Sequence, residues 1–284
     1  MKILDGKYVS KKVRDSIKEN IDEIKENIGK VPGLAVIQVG DNLASKIYVN
    51  SKVKQCCEVG IESFSFLLPN TVTEKELLDK IDELNKDDKI DGILVQLPLP
   101  EHIDEPKVID KIDISKDVDG FKPENLGKVL LGDKTALVSC TPAGIIELFK
   151  EYKIKLEGQD VVVIGRSNIV GKPMTALLIN EGATVTVCNS RTKNIEEKTK
   201  KADIVIVAVG KANFLTGDMV KDGAIVIDVG INRDSSNKLC GDVEFETVKN
   251  KASYITPVPG GVGPMTIAML LKNTLKAFKL NKKI

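Results

Sequence analysis

Four polar residues in the first half of the chain are suited to acid–base chemistry. Tyr48 and Lys52 are four residues apart in a predicted helix, so both side chains lie on one helix face. Gln96 follows a predicted strand, at the end where open α/β sheets bind ligands, and Asp119 precedes Gly120 in a loop. These positions could bring the side chains into a ligand-binding cleft, where titratable groups such as an amine can transfer protons. Taken singly, Tyr48 also fits a half-buried aromatic, Lys52 a solvated cation and Asp119 a turn former.

A second set of candidate residues lies in a turn of the second half. The segment from Val161 to Pro173 has the order strand, turn, helix, with Gly165 at the turn. It is not G-x-G-x-x-G, because Ser167 replaces the second glycine and Gly171 comes late. Backbone N–H groups of a tight turn and the positive end of a helix nevertheless suit a phosphate. A dinucleotide site and a plain β–α turn both fit this loop taken alone.

The end of the next predicted strand favours NADP over NAD. NAD enzymes carry an acid there for a ribose hydroxyl, about 20 residues past the glycines, whereas this chain has Asn189, Ser190 and Arg191. Four of the 42 cationic residues are arginine, and two of them, Arg166 and Arg191, fall in loops that would flank a 2′-phosphate. The alternative is a pair of solvent-exposed arginines in surface turns. We predict NADP as the cofactor.

The composition argues against several other classes of function. In a chain of 284 residues, 42 Lys+Arg balance 41 Asp+Glu, which gives no general attraction for nucleic acid or anionic lipid. One His and five Cys without a C-x-x-C pair compose no metal site, and we interpret the cysteines as reduced thiols of a cytoplasmic protein. No secretory signal or bilayer-length apolar run is present. We predict no metal, nucleic-acid or membrane partner.

Alternating elements must position these residues. In the first half the apolar pattern predicts helix and strand in turn over residues 10–28, 34–40, 43–59, 61–68, 73–86 and 92–97. A loose stretch over 101–141 and a helix over 143–152 lead into the second half. There we predict strands over 161–165, 183–188, 202–210 and 224–230, and helices over 173–181 and 265–278. The alternation is typical of an α/β fold with largely parallel sheets.

Seven longer motifs occur in a fixed order along the chain. They are Tyr48–Lys54, Gly92–Pro100, Asp117–Phe121, Cys140–Gly144, Gly165–Pro173, Asp228–Asn232 and Pro257–Thr266. Together they resemble the bifunctional methylenetetrahydrofolate dehydrogenase/cyclohydrolase family of one-carbon metabolism, nearly from end to end. The resemblance implies that NADP oxidises 5,10-methylenetetrahydrofolate and that the methenyl product is hydrolysed to 10-formyltetrahydrofolate, with a place in purine biosynthesis.

The resemblance also implies roles for individual residues. The catalytic lysine falls on Lys52, its partner tyrosine on Tyr48, the glutamine that contacts the lysine on Gln96, and the pterin-binding aspartate on Asp119. In the last motif we predict substrate contacts at Gly261 and Pro264. The family's cofactor contacts fall on Gly165, Arg166, Ser167, Ser190 and Ile231, to which we add Arg191 and Thr141. One departure is Asn189, where many members carry His.

The family's architecture implies two α/β domains that flank a cleft, the second a Rossmann-type NADP-binding domain with a parallel sheet. We predict a folate-binding catalytic domain over residues 1–143 and 265–284 and the NADP-binding domain over 144–264. A homodimer through the cofactor domains is also implied. Two alternatives stay open, a monofunctional dehydrogenase that could use NAD and a non-catalytic, nucleotide-sensing α/β protein. Against the second stand the four polar residues of the first half, all intact.

Overall fold

The computed structural model describes residues 1–234 and 236–284, except for the side chains of residues 43–45 and 47. Strands in this part of the chain are β1 (Lys2–Ile3), β2 (Gly33–Val39), β3 (Glu62–Leu68), β4 (Gly92–Val95), β5 (Asp160–Ile164), β6 (Thr184–Cys188), β7 (Ile204–Val207), β8 (Ile225–Asp228), β9 (Asn232–Arg233), β10 (Leu239–Cys240) and β11 (Tyr254–Ile255). Helices are α1 (Gly6–Ile28), α2 (Leu43–Val59), α3 (Glu74–Lys86), α4 (Glu105–Lys111), α5 (Pro123–Leu130), α6 (Cys140–Glu151), α7 (Gly171–Asn180), α8 (Ile195–Thr199), α9 (Phe245–Val248) and α10 (Val262–Lys282).

Contacts within the chain divide it into two compact units, each with a parallel sheet. The three-stranded unit consists of residues 12–128, 133–140 and 267–284, and the six-stranded unit of residues 1–11, 129–132 and 141–266. The parallel α/β architecture expected from the alternating pattern is thus confirmed. The predicted division at residues 143 and 265 assigns folate binding to one domain and NADP binding to the other, and it stays a prediction. The structure itself places β1 in the six-stranded sheet, beside β11.

The three-stranded unit is built on β2, whose seven residues are all buried. This strand pairs in parallel with β3 on one side and β4 on the other, with Ile37 opposite Val95. Leu77, Ile81 and Leu84 recur at helical spacing and bury one face of α3 in the same core. Because β4 ends opposite Ile37, two residues before the end of β2, the residues that follow β4 lie at the carboxyl edge of this sheet.

The six-stranded sheet has the order β1-β11-β8-β7-β5-β6, and every neighbouring pair is parallel. All four residues of β7 are buried, which explains their continuous apolar character, since a sheet covered on both faces buries every side chain. The chain passes from β5 to β6 at the edge and then crosses to β7 on the other side of β5. This reversal is the switch point at which open α/β sheets bind ligands.

Where structure and prediction differ, the causes are local. Helix α7 begins at Gly171 and not at Pro173, because proline is tolerated within a first turn. The prediction of a loose stretch over 101–141 is wrong, because this segment contains α4 and α5. Asp104 begins α4 by accepting a hydrogen bond from the Lys107 N–H, a signal too short to show periodicity. Within the described residues, no helix is both long and apolar enough to cross a membrane.

Candidate functional site

Lys52 and Gln96 form a hydrogen-bonded pair at the carboxyl edge of the three-stranded sheet. Lys52 Nζ donates to Gln96 Oε1 over 2.9 Å. The amide of Gln96 is oriented because its Nε2 donates to the Leu97 carbonyl (2.6 Å), while its backbone N–H donates to Ile37 O (2.8 Å). Its oxygen therefore faces the amine. Tyr48 lies one turn before Lys52 in α2 and is 43% exposed.

Asp119 belongs to a segment that runs beside β4. Asp117 forms a parallel bridge with Ile93, which brings Asp119 alongside the end of β4, where Gln96 follows. Burial raises the pKa of Asp119 to about 6, the charge of Lys52 lowers it, and Asp117 raises it. Asp119 is thus ionised at neutral pH and interacts electrostatically with Lys52. The structure brings Lys52, Gln96 and Asp119 together within one unit.

Asp117 fixes this segment, a role that the sequence did not reveal. Its Oδ1 accepts from the Phe121 N–H (3.1 Å), and its Oδ2 accepts from the Lys122 N–H (2.9 Å) and Asn125 Nδ2 (2.8 Å). Burial raises the pKa of Asp117, and these hydrogen bonds oppose the shift. The sequence signal for this role is a second aspartate two residues before Asp119, but residue type alone does not show which backbone groups Asp117 contacts.

The buried Asn273 of α10 holds the same segment from the other side. Its Nδ2 donates to the carbonyls of Val118 and Val138, each over 2.8 Å. Gly120 has a φ of +70°, and a Cβ there would overlap the Ser139 nitrogen, so no other residue type fits this close approach. The neighbouring Thr274 of α10 is also polar and buried, so residue type alone does not single out Asn273.

The thiols near Lys52 are buried packing groups. Burial raises the pKa of Cys56 to about 12 and that of Cys140 well above its ordinary value. Both side chains are buried, and Cys140 Sγ donates to the Val118 carbonyl at 3.3 Å. Among the residues that the structure describes, no group of three or more His, Cys, Asp or Glu could hold a metal ion.

The turn after β5 has the close packing of a dinucleotide loop. Gly165 has a φ of +129°, and a Cβ there would overlap the Ala208 carbonyl across the switch point. A Cβ on Gly171 would overlap the Gly165 carbonyl, so Gly171 permits the close approach of helix and strand that the third glycine of the usual motif permits. Ser167 Oγ accepts from the Val170 N–H at 3.2 Å and shapes the same turn.

The turn after β6 presents the residues predicted to bind a 2′-phosphate. Ser190 and Arg191 are exposed there, and Arg166 is exposed after β5. Asn189 Oδ1 accepts from the Arg191 N–H (3.0 Å), and the Asn189 N–H donates to Thr192 Oγ1 (2.9 Å). Asn189, the departure from the family pattern, therefore shapes the turn that carries Ser190 and Arg191.

The four other predicted contacts lie in the six-stranded unit. Ile231 follows β8 and is 54% exposed. The Thr141 hydroxyl, at the start of α6, is 3.0 Å from that of Thr266. Gly261 donates its N–H to Pro257 O (2.8 Å), and Pro264 lies in the first turn of α10. The structure places these residues but does not test their roles, which stay predictions.

Two family models match the chain. The model described as tetrahydrofolate dehydrogenase/cyclohydrolase, catalytic domain, matches residues 4–119, and the NAD(P)-binding domain of the same name matches residues 139–282. A protein of Acetivibrio thermocellus named bifunctional protein FolD is 58% identical over 283 residues, which cover 100% of this chain and 99% of the relative.

Solved structures agree with these matches. The bifunctional enzyme FolD, methylenetetrahydrofolate dehydrogenase/cyclohydrolase, from Campylobacter jejuni has a TM-score of 0.97 and 54% identity over 99% of each chain. The N5,N10-methylenetetrahydrofolate dehydrogenase-cyclohydrolase of Trypanosoma brucei, complexed with NADP cofactor and inhibitor, has a TM-score of 0.95 and 39% identity. The match covers 99% of this chain and 98% of that one.

Proposed function

The chain belongs to the tetrahydrofolate dehydrogenase/cyclohydrolase family, and on that premise we propose which residues carry its two reactions. It is an NADP-dependent enzyme that oxidises 5,10-methylenetetrahydrofolate and hydrolyses the 5,10-methenyl product to 10-formyltetrahydrofolate. The observation that carries the proposal is the hydrogen bond from Lys52 Nζ to Gln96 Oε1, with the Asp119 carboxyl in electrostatic range of the same amine.

NADP fits the turn at Gly165, where the chain leaves no room for a Cβ and the backbone can approach a pyrophosphate closely. We propose that it is held by Gly165, Arg166, Ser167, Ser190, Arg191, Ile231 and Thr141. When bound, NADP supplies the hydride acceptor for the oxidation. Arg166 and Arg191 favour the 2′-phosphate, which a carboxylate after β6 would repel.

Asp119 binds the donor edge of the pterin ring in this proposal. A carboxylate can accept two parallel N–H hydrogen bonds, and Asp119 is ionised above its pKa of about 6. Tyr48, Lys52, Gln96, Gly261 and Pro264 complete the substrate contacts. Loss of a hydride from the methylene carbon leaves a nitrogen-stabilised cation, so these residues need only hold the ring in position and exclude water. That step requires no general base.

Hydrolysis of the methenyl cation does require proton transfer, and Lys52 is the group we propose for it. Water attacks the methenyl carbon and Lys52 in its amine form accepts one of its protons, which leaves a hydroxyl adduct. That proton reaches N5 as the bond between N5 and the carbon breaks, and the hydroxyl loses its remaining proton to solvent as the formyl C=O forms. Gln96 is neutral, so its oxygen positions the amine without adding a second carboxylate to that of Asp119. Tyr48 orients Lys52 or relays the proton.

We further propose a homodimer through the cofactor-binding units, in the cytoplasm. Strand β6 supports the dimer, because it forms one edge of the six-stranded sheet and exposes Thr184, Thr186 and Val187. Five free cysteines support a reducing compartment. The 10-formyl product is a formyl donor that suits purine biosynthesis. Residues 1–143 and 265–284 form the folate-binding catalytic domain in this proposal, and residues 144–264 the NADP-binding domain.

The test is to measure the two reactions separately. Purified protein with 5,10-methylenetetrahydrofolate and NADP should generate NADPH absorbance, and methenyltetrahydrofolate supplied alone should be hydrolysed. Oxidation without hydrolysis would favour a monofunctional dehydrogenase, and neither reaction would favour a nucleotide sensor. Asp119→Ala should lose both activities through substrate affinity. Normal substrate affinity in that variant would remove Asp119 from the site.

A further inference from the structure

Two buried aspartates lie where β7 and β8 end, at the carboxyl edge of the six-stranded sheet. Asp228 is the last residue of β8, and Asp242 follows β10 by two residues. Their exposed fractions are 4% and 0%. A carboxylate is costly to bury unless hydrogen bonds satisfy its oxygens. The reactions described above use neither side chain.

The carboxylate of Asp242 joins two loops. Its Oδ2 accepts from the N–H groups of Val209 (2.6 Å) and Gly210 (3.0 Å). Its Oδ1 accepts from the Lys211 N–H (2.9 Å) and Asn232 Nδ2 (2.8 Å). Three successive N–H groups of the loop after β7 and one side-chain amide beyond β8 thus converge on one buried group.

Asp228 in turn holds Asp242. Its Oδ1 accepts from the backbone N–H groups of Gly230 and Asp242, each over 2.9 Å, and its Oδ2 accepts from the Val243 N–H (3.0 Å). Burial raises the pKa of Asp228 to about 6, so this carboxyl remains ionised at neutral pH. The arrangement leaves no space, since a Cβ on Gly241 would overlap the Asp228 carboxylate.

The loop that Asp242 holds begins beside the dinucleotide turn. The Ala208 N–H donates to Ile164 O (2.8 Å), and the Ala208 carbonyl is the group that a Cβ on Gly165 would overlap. The loop after β7 is therefore one wall of the switch-point crevice. The segment after β8 is fixed to it through the Asn232 amide.

We propose that Asp242, held in place by Asp228, is a positioning residue for NADP that fixes the loops after β7 and β8 around the cofactor. The inference rests on the proposed cofactor role of the six-stranded unit. Asp242 touches no reacting atom in this account and acts through the backbone of residues 209–211. Its removal should therefore weaken cofactor binding and leave the acid–base groups of the other unit in place.

Asp242→Asn tests this with little change of volume. Each oxygen of the Asp242 carboxylate accepts from two donors. In asparagine an NH₂ group replaces one of these oxygens, and this group cannot accept the two hydrogen bonds directed at it. Titration calorimetry with NADP should show binding weakened about tenfold or more, and the KM for NADP should rise in parallel. The melting temperature reports whether the variant is folded, and methenyl hydrolysis, which consumes no NADP, reports on the acid–base groups of the other unit.

Asp203→Asn is the matched control at the opposite end of the same sheet. Asp203 immediately precedes β7, accepts from the Asp160 N–H (2.8 Å) and pairs with Lys221, so it is structural but far from the carboxyl edge. This variant should lower the melting temperature without weakening NADP. Asn232→Ala removes one of the four donors to Asp242 and should weaken NADP by a smaller factor, about threefold.

Wild-type NADP affinity in both folded Asp242→Asn and Asn232→Ala would overturn the inference. Equal weakening in Asp203→Asn would also overturn it, because the effect would then be a general loss of stability. If Asp242→Asn does not fold, the comparison of NADP affinity between Asn232→Ala and Asp203→Asn tests the inference by itself. A wild-type protein that neither binds NADP nor oxidises the substrate would instead overturn the proposed function.

Discussion

The two units build their sites from different parts of the chain. In the three-stranded unit the side chains of Lys52, Gln96 and Asp119 carry the proposed chemistry, and the backbone serves to place them. In the six-stranded unit the proposed cofactor site depends largely on the backbone, whose loops are shaped by Gly165 and by buried carboxylates such as Asp242. Removal of a functional group should therefore damage the first site, whereas addition of a single carbon should damage the second.

Gly165→Ala should have the largest effect on the cofactor site. An alanine at a φ of +129° is strained, and its Cβ would overlap the Ala208 carbonyl. We expect NADP binding, measured by calorimetry, to weaken about 100-fold or more. Methenyl hydrolysis, whose proposed proton-transfer groups lie in the other unit, should persist. Gly127→Ala is the control, since Gly127 lies in α5 and an added Cβ would meet no heavy atom within 4 Å. Unchanged NADP affinity in Gly165→Ala would contradict the claim that the cofactor site depends on close backbone packing.

The double substitution of Arg166 and Ser190 by Ala should have a smaller and selective effect. Both side chains are exposed in the two turns assigned to the 2′-phosphate. NADP affinity should fall about tenfold while NAD affinity changes little, because NAD lacks that phosphate. The ratio of the two dissociation constants is the quantity to measure. Equal losses for both cofactors would show that these residues do not read the phosphate.

The pH dependence of substrate capture should report on Asp119. With its pKa raised to about 6, the carboxyl gains a proton as the pH falls below that value and loses one of its acceptor oxygens. At saturating NADP, kcat/KM for the methylene substrate should be about tenfold lower at pH 5 than at pH 7. Asp119→Asn should flatten this profile. An inflection near pH 4 in the wild type would contradict the perturbed environment of Asp119.

The sequence predicted elements best where a single pattern determines them. The buried apolar runs of β7 and β8 were sufficient on their own. Strands β1 and β11 were missed because two residues show no alternation, and they exist only through pairing with neighbours distant in the chain. Helix α4 was missed for a related reason, since seven residues give little periodicity.

The site residues were likewise predictable only where residue type and local motif identify them. Lys52, Gln96 and Asp119 were recognised by residue type and motif, and the structure brings them together. Asp117 and Asp242 were not recognised, because their work consists of hydrogen bonds to backbone groups that only the folded chain brings near. The late Gly171 looked like a defect in the glycine motif, yet it permits the same close packing.

The most direct test of the account is the product balance of Lys52→Met. Methionine removes the amine and keeps an unbranched chain, and Lys54→Met, at an exposed position of the same helix, is the control. Given 5,10-methylenetetrahydrofolate and NADP, the Lys52 variant should accumulate NADPH and the methenyl form in equal amounts, with hydrolysis at least about 100-fold slower. Formation of 10-formyltetrahydrofolate by Lys52→Met as fast as by Lys54→Met would contradict the account.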